Sequence, residues 1–330
     1  MDSPQIIYVL RWLVRDTFRQ SRTTRIFWIM LGFSALCVVF CLGLSVEGGD
    51  NLRPDGDFLI DPKTNEPIAG PARDLGTLRL FFGAFRVSLA RDRESAVQHV
   101  EVILASWVAG AIGLLVTLVW TAGFIPEALQ PASATVLFAK PAPRGLFLVG
   151  KYLAVTLLVA FQASVFFAGT WLALGLRTGV WSAGYLAGVP LLVVHFAAIY
   201  SVSALLAVST GSTIACALGS ILFWALCLAV NLGRDAAIAL PVVAPTMPPL
   251  SAFTATLIDA AYWILPKPAD LVMILERALN ADTYMATLSS LPEMAAARTS
   301  WSPEASIATA VGFSAITLGY ACRMLGKKDY

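Results

Sequence analysis

From Thr178 to Gly233 the chain carries no Lys, Arg, Asp or Glu. Crossing a bilayer core takes about 20 apolar residues at about 1.5 Å of rise each. The run is therefore too long for one membrane helix and suits two. Ser209-Thr210-Gly211-Ser212-Thr213 supplies the break, which gives spans over 185–208 and 214–232. Pro190 is expected to kink the first of these near its outer end. The rest of the chain agrees with this reading. Only 13% of residues are charged and 58% are hydrophobic, whereas soluble domains carry about a quarter charged residues. In lipid each backbone group must be satisfied within its own segment, so the fold class is all-α and polytopic.

Four further uncharged runs, 26–46, 102–125, 152–176 and 305–322, bring the expected total to six spans. The first lies behind an arginine-rich arm with no A-x-A site after it, and so reads as a retained span rather than a cleaved signal. Within residues 1–25, Ile6, Leu10, Leu13, Val14, Thr17 and Phe18 recur at helical spacing. Arg11, Arg15, Arg19 and Arg22 occupy another face. Such a helix lies in the membrane interface with its arginines toward lipid headgroups. Five arginines before Ile26 place this end in the cytosol, and Arg323, Lys327 and Lys328 place the other end there too.

Residues 47–101 and 234–304 are then extracytoplasmic. The first is expected to be an irregular acidic loop up to Asp74, with 78–85 packed back on the membrane and an exposed helix over ARDRESAVQHVE. Arg79, Arg86, Arg91 and Arg93 pull against that side, although segments of this length follow the charge rule less strictly. In the second, Pro241, Pro245, Pro248 and Pro249 stop a simple span. A re-entrant or interfacial hairpin over 253–265, broken at Pro266-Lys267-Pro268, leads to an amphipathic helix over 269–279.

Several functions are excluded. A net charge of +2 without a continuous basic face argues against nucleic acid. Cys37, Cys41, Cys216, Cys227 and Cys322 sit in apolar runs without metal-type spacing. Gly145-Leu-Phe-Leu-Val-Gly150-Lys151-Tyr152 approaches a phosphate-binding loop, but Tyr152 stands where a hydroxyl should reach magnesium, and the loop leads into a span rather than out of a strand. No protease constellation appears. The chain reads as a non-enzyme with no catalytic, cofactor or metal site. Gln162 and His195, polar side chains inside spans, are either pathway residues or packing partners. Asp259 in the outer hairpin is either a gate contact or an interfacial carboxylate.

The polar interruption at 126–151, PEALQPASATVLFAKPAPRGLFLVGK, carries Lys140, Arg144 and Lys151. Proline and an early carboxylate suit a helix start, so a short helix from Pro131 to Lys140, ended by Pro141, is expected, followed by a second over 144–151 leading into the third span. On composition alone an ordinary inner loop fits as well. Glu127, Thr135, Leu137, Pro141-x-x-Arg144 and Gly150-Lys151 follow in the order of the cytosolic loop of type-2 ABC-transporter permeases, which this segment resembles. Pro126 and Ala134 depart from that pattern, and extra residues separate Glu127 from Thr135. The N-terminal helix, the six spans and the broken outer segment extend the resemblance over most of the chain.

The resemblance implies the membrane subunit of an exporter in a bacterial plasma membrane. A separate ATPase subunit would hold ATP and magnesium and dock on Glu127, Thr135, Leu137, Lys140, Pro141, Arg144, Gly150 and Lys151 through a coupling helix. A second permease copy, identical or paired, would complete the pathway. The rival expectation is a stand-alone scaffold or secondary transporter. The latter calls for intramembrane ionisable residues, which the spans as drawn lack.

Overall fold

The computed structural model describes residues 3–47, 77–80, 83, 85–88, 93–130, 143–243, 251–279 and 302–327. Helix α1 (Ser3–Thr23) is followed, after Thr24 alone, by α2 (Arg25–Leu42). Three short strands come next: β1 (Ser45–Glu47), β2 (Thr77–Leu80) and β3 (Phe85–Ser88). They form an antiparallel sheet in the order β1-β2-β3, with Val46 opposite Leu78 and Leu78 opposite Val87. The irregular loop expected up to Asp74 lies, beyond Glu47, outside the described residues; the stretch after it, expected to pack back on the membrane over 78–85, contributes strand instead, with TLRL and FRVS pairing as a hairpin and adding to the strand that extends α2.

The second span is built from α3 (Arg93–Ile103), a π-helical stretch (Leu104–Gly113) and α4 (Leu114–Thr121), with α5 (Phe124–Ala128) finishing it. The wider turns bring carbonyls five residues back against Gly110 and Gly113. A Cβ at either would stand 3.0 Å from the carbonyl oxygen of Ala105 or Val108, so hydrogen fits there and a side chain is crowded.

Helix α6 (Arg144–Thr178) is continuous, and the separate short helix expected over 144–151 is its first two turns. It ends at Gly179, whose φ of 75° is the left-handed C-cap that favours glycine. A 3-10 turn (Ala183–Ala187) opens α7 (Gly188–Thr210). Pro190 sits in the first turn of α7, where a missing N–H leaves no helical bond unmade. It therefore starts the helix instead of kinking it. Gly211, with φ 66°, turns the chain into α8 (Thr213–Val243) at the break read from the sequence.

Helix α8 continues past 232 through Arg234 and Asp235, because Arg234 finds partners (below) and no proline intervenes before Pro241 in the last turn. The hairpin follows as α9 (Ala252–Ile264) and α10 (Pro268–Ala278), and α11 (Pro303–Gly326) closes the chain. Lys267 precedes Pro268 at the first position of α10, so the break falls where the Pro-Lys-Pro sequence placed it.

Among the described residues six helices are long and apolar enough to cross a membrane: 25–42, 96–128, 144–178, 183–210, 213–238 and 303–326. The chain is a multi-pass α-helical membrane protein. Helix α7 is its axis, packed by α6, α8 and α11. In its span 61% of the apolar window is buried, against 17% for α8 and 22% for α11. Helix α1 packs along the first turns of α6, and the two ends of the bundle are called below the α1 end and the sheet end. One apolar core surrounds Leu118, Leu148, Val155, Ile199 and Tyr200 toward the α1 end. A second, around Cys41, Val102, Phe167, Tyr185 and Leu275, lies under the sheet.

Candidate functional site

Helix α1 carries Arg11, Arg15, Arg19 and Arg22 on its exposed side, as their spacing predicts, while Leu13, Thr17 and Ser21 are buried. Ile7, Tyr8 and Trp12 are exposed alongside the arginines. An amphipathic helix with apolar and cationic side chains both outward suits a headgroup boundary.

Its inner side meets the residues that flank the 126–151 segment. Lys151 is 2% exposed, and its Nζ donates to Asp16 Oδ2 at 3.2 Å and to Gln20 Oε1 at 3.1 Å. Gln20 Nε2 donates in turn to Glu127 Oε2 at 2.8 Å. Asp16, Lys151, Gln20 and Glu127 thus form one chain of charge-assisted hydrogen bonds across α1, α6 and α5. Gly150 makes the approach possible, since a Cβ there would run into Leu13 of α1. Gly123 does the same for Glu127, whose Oε1 would lie 2.8 Å from a Cβ at that position.

The sequence placed Glu127, Gly150 and Lys151 in one contact surface, and the structure does bring them together, with different exposures. Glu127 is exposed, Arg144 is half-buried, and Gly150 and Lys151 face inward against α1. Lys151 is therefore an internal tie. Arg144 opens α6, and next to it Gly145 accepts the Cys322 thiol at 3.8 Å, joining α6 to α11. Thr135, Leu137, Lys140 and Pro141, with the short helix expected over 131–140, lie outside the described residues.

Gln162 and His195 are both buried. Gln162 Nε2 donates to Ser34 Oγ at 3.1 Å across α6 and α2, and its Oε1 is left without a partner among the described residues. His195 Nε2 likewise has none. The two residues do not share a hydrogen bond.

Asp259 accepts from Arg234 Nε at 3.0 Å and is 55% exposed, while Arg234 is 11% exposed. It belongs to a cluster the sequence did not reveal. The Arg234 guanidinium lies 3.9 Å from the centre of the Tyr262 ring. Tyr262 OH and Ser306 Oγ each donate to Asp270 Oδ2 at 2.6 Å. Lys267 Nζ sits 4.2 Å from the Trp263 ring centre and 4.4 Å from that of Tyr262. Burial pushes the Lys267 ammonium below its usual range, and Asp270 opposes that shift. The group ties α8, α9, α10 and α11 together at the sheet end.

Glu101 was also missed. It was drawn one residue outside the second span, yet the helix begins at Arg93 and the carboxylate is fully buried. Nearby, Arg93 donates to the Thr178 carbonyl, fastening α3 to the end of α6. Among the described residues no group of three His, Cys, Asp or Glu could hold a metal, and all five cysteines are free thiols.

No family model matches this chain, and no curated protein matches it either.

Proposed function

We propose that the chain is the membrane subunit of an ATP-driven exporter of the type-2 ABC permease class, non-catalytic itself and resident in a bacterial plasma membrane with both termini cytosolic. The reading is carried by the Asp16–Lys151–Gln20–Glu127 chain. It joins an arginine-edged interfacial helix to both ends of the one long inter-span segment at that end of the bundle. A soluble partner pushing on 128–143 would move Glu127 on one side and α6 on the other, and α1 with both. ATP and magnesium would reside in the partner, and a second permease, identical or paired, would complete the pathway. Physically this is a two-state bundle biased by a ligand-driven body bound at one end.

The test is affinity capture of the tagged chain from native membranes in mild detergent, with partner identification and an ATPase assay. Recovery of a nucleotide-binding subunit near one to one is the expected result, with capture weakened by Glu127→Ala and Arg144→Ala. Lys151→Met, being internal, is expected to keep the partner while lowering coupled ATPase activity. Recovery of the chain alone would sink the proposal.

Glu101 favours a second reading. A buried carboxyl in a membrane helix is a common seat of ion coupling, and it weakens the argument from absent ionisable groups against a stand-alone secondary transporter. Proton uptake by reconstituted protein, abolished in Glu101→Gln and independent of any ATPase, would support that reading.

A further inference from the structure

Midway along α2 and α6 lies a cavity of about 50 Å³. Met30, Phe33 and Ser34 of α2 line it, with Val108, Gly113 and Thr117 of the second span and Gln162 of α6 opposite. Leu192 of α7 forms part of its floor. The walls are otherwise apolar, and Phe33, 41% exposed, stands at the rim where the cavity meets the lipid-facing surface.

The polar atoms inside leave one acceptor unmet. Ser34 Oγ gives its proton to the Met30 carbonyl at 3.0 Å and receives Gln162 Nε2. Thr117 Oγ1 gives its proton to the Gly113 carbonyl at 2.6 Å. Gln162 Oε1 is buried with no partner among the described residues. The hydroxyl protons of Ser34 and Thr117 and one N–H of the Gln162 amide are thus committed, and the buried atom left with no partner at all is the acceptor Gln162 Oε1. No charged side chain lines it, so a cation would lose its hydration without a counter-charge. An ether, ester or ketone would leave Gln162 Oε1 unpaired. A neutral donor is what the site lacks.

We propose that this cavity binds the hydroxyl group of a neutral, long-chain amphiphile, which donates to Gln162 Oε1 while its apolar chain runs out past Phe33 into the bilayer. The occupant fits the few convergent polar groups in an otherwise apolar pocket, and the π-helical stretch shapes one wall at a place where such stretches recur in functional sites. The site stands on the membrane-spanning fold alone, so its test requires no ATPase and can fail independently of the exporter proposal.

The full chain would be reconstituted in lipid nanodiscs and photolabelled with a dodecanol bearing a diazirine close to its hydroxyl. Peptide mapping is expected to place the label on Phe33, Val108 or Leu192. Unlabelled dodecanol should compete about tenfold better than dodecyl methyl ether, the cost of leaving a buried acceptor unpaired. Gln162→Leu, whose unfolding temperature is checked in parallel, should lower labelling by about the same factor. Ala163→Leu, which fills the cavity and keeps the amide, should abolish it. Equal competition by the ether in the wild-type protein would overturn the proposal without any variant. So would labelling unchanged by Gln162→Leu, or label found nowhere on the lining residues, the result expected if the cavity holds water only.

Discussion

Among the described residues each end of the bundle buries one lysine, and the two are held by opposite means. At the α1 end Lys151 has two oxygen acceptors, a carboxylate and an amide, and a further hydrogen bond leads on to Glu127. At the sheet end Lys267 has two aromatic faces and no hydrogen-bond partner among the described residues. The first is directional and links elements that could shift against one another. The second is non-directional and sits in a corner where two hydroxyls, not the lysine, donate to Asp270. An ammonium that must transmit a position needs fixed acceptors, whereas one that fills a corner does not.

The largest effect is expected from Asp270→Ala. It strips two hydroxyls of their acceptor and removes the carboxylate that most supports the Lys267 charge, so a loss of about 3–5 kcal/mol follows from breaking a buried charged network. Thermal unfolding in detergent would measure it, and a loss under about 1 kcal/mol would mean Asp270 is not the centre of that cluster. Lys151→Met should cost less, about 2 kcal/mol, because Asp16 is half-exposed and can rehydrate. It should also free α1, read as faster protease cleavage near Arg19 and Arg22. Lys267→Met is the sharpest contrast. With no hydrogen bond to lose and two aromatic faces still to pack on, it should cost about 1 kcal/mol, the worth of its ring contacts. If it proves as costly as Lys151→Met, the distinction between the two lysines fails. Asp259→Asn should matter least, about 0–1 kcal/mol and less at high salt, since its pairing with Arg234 is open to water.

Much of this architecture was legible. Six uncharged runs became six membrane-length helices, and the arginines of α1 fell outward as their spacing required. Gly211 and Pro266-Lys267-Pro268 broke the chain where turn chemistry said they should. Boundaries were less legible because charge was taken as the end of a span. Arg234 and Glu101 both lie within helices that simply continue. Neither a salt bridge with a residue 25 positions away nor burial under a neighbouring helix leaves a local trace in the sequence. The π-helical stretch carried a faint signal in Gly110 and Gly113, but glycine is common in membrane helices and does not by itself announce a wider turn. Of the candidate site, Glu127, Gly150 and Lys151 were named from their order, as contacts for a partner rather than for α1. Their partners Asp16 and Gln20 were not, because 111 and more residues separate Asp16 from them and only the packing of α1 on α6 brings them near.

The joints at the α1 end have a mechanical consequence. Helices α1 and α2 are joined by Thr24 alone, and α7 and α8 by Gly211 and Ser212. Neither joint is long enough to be gripped from outside or to let its two helices travel separately. The connection from Leu129 to Pro143 is longer than either. A body that held this connection would act on the second and third spans before any other.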